Sequence, residues 1–441
     1  MKSFEKMQIV NPNAAGIDVG SRSHFVAIGQ DENQIREFNV YQSGLCALVA
    51  YLQENKIRSV ALESTGSYWQ SLFMILQGNG FEVLLVQGTQ TKNLKAKTDV
   101  KDAQWIQKLH SLGLLRGSFL PSETTLQIRT LHRHRSSLIE QSSGFVNKMQ
   151  KALRLMNFRL DVVISDITGV SGIRVIEMIL SGETSGEKLA EYCDKRVKKS
   201  KEEIADALQG KINNEYLHEL SDCYDIYRLI QDKIKNTDTR IDQVLKNQTR
   251  EIVLSEDIEL VKKQNKGKNQ PKFDVQKYSL KLFGVDLFAI ESVCSGTVTS
   301  FLAEIGTDIY KFKTSKQFVN WLRLAPNNKI SGGKVLSSRT PKGKNKFALT
   351  LRNAANTIER KKEGYLVMFF KRISFKKGRG AAITATARKI AVIIWNMIVK
   401  KQHYIPINTN EYIQEMKNKK TIQIKKMIKK YGIETTSLSI P

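Results

Sequence analysis

Residues 14–20 read Ala-Ala-Gly-Ile-Asp-Val-Gly, an apolar run that closes on one acid and one glycine. Such a run is typical of a buried strand, and it puts Asp18 near the end of that strand. A second apolar run ends at Glu63 in Ala-Leu-Glu-Ser-Thr-Gly (61–66). Asp99 and Asp102 follow in Thr-Asp-Val-Lys-Asp-Ala (98–103), and their i, i+3 spacing puts both carboxylates on one face of a helix.

The four acids predict a metal site. Carboxylates that meet at strand ends and on a helix face repel one another unless a divalent cation neutralises them, and hard oxygen ligands suit Mg²⁺ or Mn²⁺. Each acid alone also has a local explanation, as a turn residue (Asp18) or as a favourable helix start (Glu63, Asp99). Because all four occur in the order and elements that one site requires, the first hypothesis is a metal centre that processes phosphodiesters.

Strand and helix patterns alternate around these acids. The predicted strands are 14–20, 24–29, 35–40, 59–64 and 81–87, and the predicted helices are 45–55, 68–77 and 99–112. The resulting order, β-β-β-α-β-α-β-α, places Asp18 on the first strand, Glu63 on the fourth strand and the aspartate pair on the closing helix. The pattern therefore predicts an α/β domain.

The charge of the chain is distributed very unevenly. Residues 1–260 hold 33 basic and 33 acidic residues, whereas residues 261–441 hold 37 basic and 10 acidic residues, which accounts for the whole net charge of +27. One explanation of this asymmetry is a basic tail that only maintains solubility. Because the excess runs through apolar, foldable sequence, it favours a nucleic-acid-binding domain.

Other features limit the class of protein. At 441 residues the chain has room for two or three domains. No uninterrupted apolar run reaches the roughly 18 to 20 residues that span a bilayer, and the first residues contain no secretory apolar segment. The four cysteines lie far apart without a CxxC pair, which disfavours zinc and disulfides and predicts a reducing, cytoplasmic setting.

The remainder of the chain divides by pattern. Residues 122–260 read as helical and contain a heptad seam that runs from Tyr216 to Val244, which fits either a coiled-coil dimer or an antiparallel hairpin within one chain. Residues 261–277 form a polar, basic linker. A basic domain is predicted at 278–403, and a basic amphipathic helix with its tail at 404–441, which would dock on that domain or lie along nucleic acid. A membrane-surface helix is the disfavoured alternative, because nothing else in the sequence points to lipid, and no membrane partner is expected.

The basic domain contains a second candidate site. A helix is predicted to end before Pro326, and a flexible loop then presents Ser331 beside Gly332, Gly333 and Lys334. The two glycines let a backbone approach a phosphate closely, although a Ser-Gly-Gly sequence by itself is usually an ordinary turn. Further basic residues, the candidate nucleic-acid contacts together with Lys334, follow at Arg339, Lys342, Lys344 and Lys346.

Several motifs in order carry a family resemblance. Gly-Ile-Asp-Val-Gly, Glu-Ser-Thr-Gly-Ser-Tyr, Lys-Thr-Asp-Val-Lys-Asp-Ala, Ala-Glu-Ile-Gly (303–306), Leu-Ala-Pro (324–326) and Ser-Gly-Gly-Lys (331–334) occur in that sequence. Together they resemble the DEDD-type transposases of bacterial insertion sequences, the IS110 family of bridge-RNA-guided DNA recombinases. The resemblance covers nearly the whole chain, apart from the helical spacer at 122–260.

The resemblance implies a fold and a mechanism. It implies an RNase H-like (RuvC-like) mixed sheet with helices at 10–121, a helical coiled-coil spacer and a mostly helical transposase domain. Asp18, Glu63, Asp99 and Asp102 would bind metal, and Ser331 would be the nucleophile. The protein would act as a homo-oligomer, a dimer or a tetramer, on donor and target DNA with a structured bridge RNA, in the bacterial cytoplasm at the nucleoid. Lys334 and Arg339 are the candidates for stabilising transition-state charge.

Two departures and three competing functions remain. The family has a Pro-Gly-Ile-Gly turn where this chain has Glu291-Ser-Val-Cys294, and the spacer is enlarged near 181–211. An RNA-independent DNA invertase of the same superfamily would have the same motifs. A metal-dependent junction nuclease would use water and would cut without Ser331. A non-enzymatic nucleic-acid-binding protein with a decayed site is disfavoured by the presence of all five site residues.

Overall fold

A computed structural model describes residues 7–29, 34–91, 98–253, 267–405 and 409–432. The chain forms two units, residues 1–120 and residues 121–441, and each is described by itself. Parts of the predicted linker (261–266) and of the predicted C-terminal segment (406–408 and 433–441) lie outside the described residues. The finer division of the chain into five segments stays a prediction.

The first unit is a mixed sheet with helices on both faces. Its elements are β1 (Ala14–Val19), β2 (Ser23–Ala27), β3 (Ile35–Asn39), α1 (Gln42–Glu54), β4 (Ser59–Glu63), α2 (Trp69–Gly78), β5 (Glu82–Val86), α3 (Gly88–Thr91) and α4 (Asp99–Ser111). The strand order is β3-β2-β1-β4-β5. The β1–β2 and β2–β3 pairs are antiparallel, whereas β1–β4 and β4–β5 are parallel.

These elements confirm the predicted α/β class of the first unit and the predicted order, except that the short helix α3 precedes the closing helix. The central strands are apolar because helices cover both faces of the sheet. One face packs Ile17 and Val19 of β1 against a core that includes Leu48 of α1 and Leu76 of α2. The opposite face of β1 packs against α4. The sheet is thus the rigid base from which Asp18 and Glu63 project.

The second unit is mostly helical, as predicted. Its elements are α5 (Glu123–Leu155), α6 (Leu160–Val163), α7 (Val170–Leu180), α8 (Gly186–Glu191), α9 (Lys201–Ala207), α10 (Asn214–Gln248), α11 (Val275–Phe283), α12 (Ser295–Glu304), α13 (Ser315–Trp321), β6 (Lys329–Ser331), β7 (Lys334–Ser337), α14 (Lys346–Ile358), α15 (Tyr365–Lys377), α16 (Arg379–Lys400) and α17 (Thr409–Tyr431). Turns of 3₁₀ helix lie at Leu287–Ala289 and Gly306–Lys311.

The heptad seam of α10 packs against α5 of the same chain. Leu138 of α5 shares a small cluster with Ile230 and Ile234 of α10. Nearer one end of the pair, Arg135 Nε donates to Asp238 Oδ1 at 2.6 Å, with both side chains buried. The seam therefore closes an intrachain antiparallel hairpin, one of the two structures that the sequence allowed.

The Ala-Glu-Ile-Gly motif joins α12 to α5. Arg133 makes two hydrogen bonds to the Glu304 carboxylate, at 2.9 and 2.8 Å, and Arg129 Nη2 donates to the Glu304 carbonyl oxygen at 2.7 Å. Glu304 is only 6% exposed, so the two guanidinium groups balance a buried carboxylate. The motif has an architectural role in this fold.

The most apolar long helix, α16, lies inside the second unit. Residues 379–400 are the one stretch among those described that is long and apolar enough to cross a bilayer. Ile390, Ile394 and Ile398 are almost completely buried against the surrounding helices. This burial identifies α16 as the central helix of a folded unit.

Candidate active site

Asp18 and Glu63 lie at the ends of adjacent parallel strands. The register between β1 and β4 pairs Gly16 with Ala61 and Ile17 with Leu62. Each acid is the next residue along its strand. Side chains alternate between the two faces along each strand, and paired residues on neighbouring strands point to the same face. Asp18 and Glu63 therefore share one face at the carboxyl edge of the sheet.

Gly16 brings the third and fourth acids to the same place. A Cβ added at Gly16 would lie 2.6 Å from the Ala103 carbonyl oxygen of α4 and closer still to the Gln107 backbone nitrogen. Only a residue without a side chain lets α4 pack this tightly against β1. Since Gly16 and Asp18 are two residues apart, Asp18 also points to the face that α4 covers.

The first turn of α4 carries the aspartate pair. Thr98 caps the helix, with its Oγ1 accepting from the Lys101 backbone N–H at 3.3 Å. Asp99 and Asp102 both lie in this first turn, where the free N–H groups of a helix favour negative charge. The cap therefore fixes the position from which both carboxylates project.

The electrostatics of Asp18 show that the four acids converge. Burial, and after it the negative charges of Asp99, Asp102 and Glu63 in that order, together raise the pKa of Asp18 from 3.8 to about 6. A hydrogen bond from the Val19 backbone N–H opposes the rise. Three neighbouring acids are therefore close enough to resist ionisation of the fourth.

Glu63 is held by residues that sequence reasoning missed. The buried Thr91 hydroxyl donates to Glu63 Oε2, and the Thr65 hydroxyl donates more weakly to Oε1 at 3.5 Å. Gly88 leaves room for the carboxylate, since a Cβ there would lie 2.5 Å from Glu63 Oε1. Gly88 and Thr91 belong to α3, a single helical turn between β5 and residues 92–97, and no sequence motif marked them.

The cluster fits a divalent cation in its chemistry. It supplies carboxylate oxygens only, with mutual repulsion that a cation would relieve. Among the residues that the structure describes, no three or more His, Cys, Asp and Glu side chains are grouped closely enough to hold a metal ion. The acids are thus gathered at one edge of the sheet but not closed around a common point.

Ser331 lies on a β-hairpin and not in a flexible loop, which corrects the prediction. It ends β6 and pairs with Lys334, the first residue of β7. Gly332 and Gly333 have φ values of +53° and +74°, as the two central residues of a type I′ turn require. The turn geometry alone accounts for the two glycines. Ser331 is exposed at the tip of this hairpin, and no hydrogen bond to its hydroxyl is present within the described part of the chain.

The predicted basic residues surround this hairpin on two elements and a loop. Lys334 lies on β7, and Lys346 is the first residue of α14 rather than part of the loop. Arg339, Lys342 and Lys344 lie between these elements, and all five side chains are exposed.

Hydrogen bonds to main-chain carbonyl groups brace the loop that carries these cations. Arg323 donates to the Lys342 carbonyl oxygen, and the Asn327 N–H donates to the Arg339 carbonyl oxygen at 2.9 Å. The loop is therefore tied to the chain that enters the hairpin, while its cationic side chains stay directed to solvent.

A basic cleft beside the hairpin was not predicted. It measures about 1100 Å³ and lies among the hairpin, the loop and helices α15 and α16. Lys377, Arg388 and Lys389 line it together with Arg339. These four residues belong to the loop, α15 and α16 and come together only in the fold, so no sequence pattern indicates that they share one cleft.

The turn that departs from the family pattern leads directly into α12, whose first turn has a partner within the chain. Ser292 adopts a φ of +66°, a conformation that glycine adopts more easily. At the start of α12, the Gly296 N–H donates to Gln270 Oε1 at 2.7 Å. The side chain of Gln270 therefore satisfies this backbone amide within the chain.

Comparison with known families gives two matches. Residues 15–158 match the DEDD-type transposase family model of IS110. Residues 287–366 match the family described as "Transposase IS116/IS110/IS902 family". No curated protein matches the chain. The first match contains all four acids, and the second contains Ser331 and the five predicted basic residues.

Proposed function

We propose that this chain, with two IS110-type transposase domains, is the recombinase of an insertion sequence. The two domains support DNA cleavage and rejoining in general. The observation that carries the proposal is the convergence of Asp99, Asp102 and Glu63 on Asp18. Mutual repulsion among four grouped carboxylates costs folding stability, and a purely structural role does not require that cost, so the grouping points to a functional site.

Asp18, Glu63, Asp99 and Asp102 would hold Mg²⁺ or Mn²⁺. A bound divalent cation polarises a scissile phosphate and orients it for in-line attack. Within the chain, Gly16 and the Thr98 cap position the aspartate pair, and Thr91 positions Glu63. The raised pKa of Asp18 means that metal and protons compete for this carboxylate below about pH 6.

Ser331 is the proposed nucleophile. Its Oγ would lose its proton and bond to the scissile phosphorus while the phosphorus–oxygen bond to the leaving strand breaks. The products are a phosphoserine linkage and a free DNA hydroxyl. Attack of a partner strand's hydroxyl on that linkage would release Ser331 and join the strands, so no nucleotide cofactor is consumed.

The hairpin supports this role through exposure and charge. The Ser331 hydroxyl is exposed at a tight turn, where it can approach a phosphate without collision. Lys334 and Arg339 are the proposed stabilisers of the charge that develops on the phosphate oxygens. Lys342, Lys344 and Lys346 add contacts to the nucleic-acid backbone.

A structured bridge RNA is the proposed source of target choice. The basic domain can hold duplexes by their backbones, and RNA pairing with donor and target DNA would then supply the sequence specificity. The protein would act as a dimer or tetramer in the bacterial cytoplasm, at the nucleoid, with acids and serine supplied by different subunits.

Recombination of a donor and a target plasmid tests the proposal. The purified protein is incubated with Mg²⁺, with and without RNA from the flanks of its element, beside Ser331→Ala and Asp102→Ala. The proposal predicts RNA-dependent joining that both substitutions abolish. Joining without RNA would instead identify an invertase, and strand cleavage that survives Ser331→Ala would identify a nuclease that uses water.

A further inference from the structure

The basic cleft of the second unit has a charged rim. Arg339, Lys377, Arg388 and Lys389 contribute four cations, and no Asp or Glu lines the cleft among the described residues. The Lys389 ammonium lies 5.4 Å from the centre of the Tyr365 ring, so this cation is held in place. A concave surface with one sign of charge concentrates anions, and a polyanion most of all.

The floor of the same cleft is apolar. Phe369 and Ile373 lie one turn apart on α15, and Ala381, Ala385 and Val392 come from α16. Gly378 joins the two helices with a φ of +81°, which lets the chain reverse so that both helices contribute to one floor. A phosphate gains nothing from such a floor, whereas the flat face of a nucleobase does.

The rim also offers uncharged hydrogen-bonding groups. Asn328, Ser338, Thr340 and Thr384 line the cleft beside the cations. Hydroxyl and amide groups can both donate and accept, which suits the mixed edge of a base. The cations therefore match the phosphate of a nucleotide, the apolar floor matches the face of its base, and the polar groups match the edge of that base.

We propose that this cleft binds an unpaired nucleotide of the nucleic-acid substrate. The base lies over Phe369 and Ile373, and its phosphates contact Lys377, Arg388 and Arg339. In a regular duplex the base faces are stacked and cannot reach the floor, so an unpaired or extruded nucleotide is the occupant. The inference rests on the proposed function only in that the substrate is nucleic acid.

The cleft adjoins the serine hairpin. Asn328 precedes β6 and Val335 lies on β7, and both line the cleft. A nucleotide bound here lies next to the hairpin that carries Ser331. The cleft would thus position an unpaired segment of DNA or RNA within the same part of the second unit as the proposed nucleophile.

Binding measurements test the inference apart from catalysis. The full chain carrying Ser331→Ala is titrated against labelled strands of about 12 nucleotides, a length within the range of single-strand sites. The arms are single-stranded DNA, single-stranded RNA and duplex DNA, each followed by fluorescence anisotropy over a range of salt. Preference between the DNA and RNA strands identifies which of them supplies the nucleotide.

Two variants carry the charge test. Lys377→Ala with Arg388→Ala removes two cleft cations, and the control Lys277→Ala with Lys316→Ala removes two exposed lysines elsewhere in the same unit. The cleft variant is expected to lose about tenfold in single-strand affinity. Its slope of log affinity against log salt is expected to be shallower by about 1.4. Duplex binding is expected to fall no more than in the control.

Phe369→Leu tests the floor without emptying it. Leucine keeps apolar bulk but loses the ring, so single-strand affinity is expected to fall about fivefold with an unchanged melting temperature. Equal losses in the cleft and control variants, or wild-type binding by Phe369→Leu, would overturn the inference. Neither result depends on recombination, so the proposed function would be unaffected.

Discussion

Gly16 of β1 lies directly against the backbone of Gln107 on α4, with no space for a side chain between them. This contact sets the distance between the strand that carries Asp18 and the helix that carries Asp99 and Asp102. The acidic cluster depends on it, because both aspartates project from the first turn of the same helix.

Gly16→Ala is predicted to displace α4 and to weaken the cluster. The added Cβ meets main-chain atoms, which cannot rotate away, so unfolding free energy should fall by about 2 kcal/mol or more. Gly78→Ala is the matched control, because nothing lies within 4 Å of the added Cβ on α2. Urea unfolding of the metal-free protein measures both. Equal stability of the two variants would contradict the close packing.

Asp18→Asn is predicted to stabilise the metal-free protein above pH 6. The pKa of Asp18 is raised from 3.8 to about 6, so folding favours its protonated form. The stability from this proton is fully present below pH 3.8 and is lost as pH rises through about 6. The full shift corresponds to about 3 kcal/mol, and partial exposure of the carboxyl reduces the expected gain at pH 7.5 to about 1 to 2 kcal/mol.

Thermal unfolding against pH, with and without Mg²⁺, measures this effect. In the wild type, ionisation of this carboxyl should lower the melting temperature between pH 4 and pH 6.5, and Asp18→Asn should remove that decrease. Mg²⁺ should raise the melting temperature of the wild type at pH 7.5 and leave that of Asp18→Asn nearly unchanged. A variant less stable than the wild type at pH 7.5 without metal would contradict the assigned repulsion.

Thr91→Val is predicted to lower metal-dependent activity with little change in stability. Valine keeps the shape of the side chain but removes the hydroxyl that donates to Glu63 Oε2. Loss of a group that orients a metal ligand typically costs about tenfold or more in affinity or activity. Thr65→Val removes only the weaker 3.5 Å contact and serves as the control. Joining rates at several Mg²⁺ concentrations compare them, and equal rates would remove Thr91 from the site.

Gly332→Asn is predicted to retain activity, whereas Gly332→Val is predicted to lose most of it. Asparagine tolerates the positive φ of a type I′ turn, and a β-branched residue does not. Recombination rates and circular dichroism of the two variants decide between two roles for Gly332. Failure of the well-folded asparagine variant would show that the glycine is needed for close approach to a phosphate and not only for the turn.

The sequence predicted the first unit well because its central strands β1 and β4 are mostly apolar runs and turn residues separate the strands. Asp18 and Glu63 were marked by ending such runs, and Asp99 and Asp102 by their spacing. The partners of Glu63 were missed, because Thr91 lies 28 residues along the chain and no pattern joins the two.

The second unit was harder to predict in detail. The serine hairpin has strands of three and four residues with exposed side chains, so it lacks the alternation that identifies a strand. Its Gly-Gly pair, a type I′ signature, was the one available signal. The partner of the α10 seam was open from sequence, because a heptad pattern does not say whether the facing helix belongs to the same chain.

The most direct measurement is the detection of a covalent bond between Ser331 and DNA. Labelled donor DNA is incubated with the wild type, Ser331→Ala, Asp102→Ala and the hairpin control Ser337→Ala, with RNA and Mg²⁺ present. Denaturing gels and peptide mapping then follow the label. We predict a DNA-linked peptide containing Ser331 in the wild type and in Ser337→Ala, and none in the other two variants. DNA cleavage by Ser331→Ala without an adduct, or an adduct mapped to another residue, would contradict the assignment of Ser331 as the nucleophile.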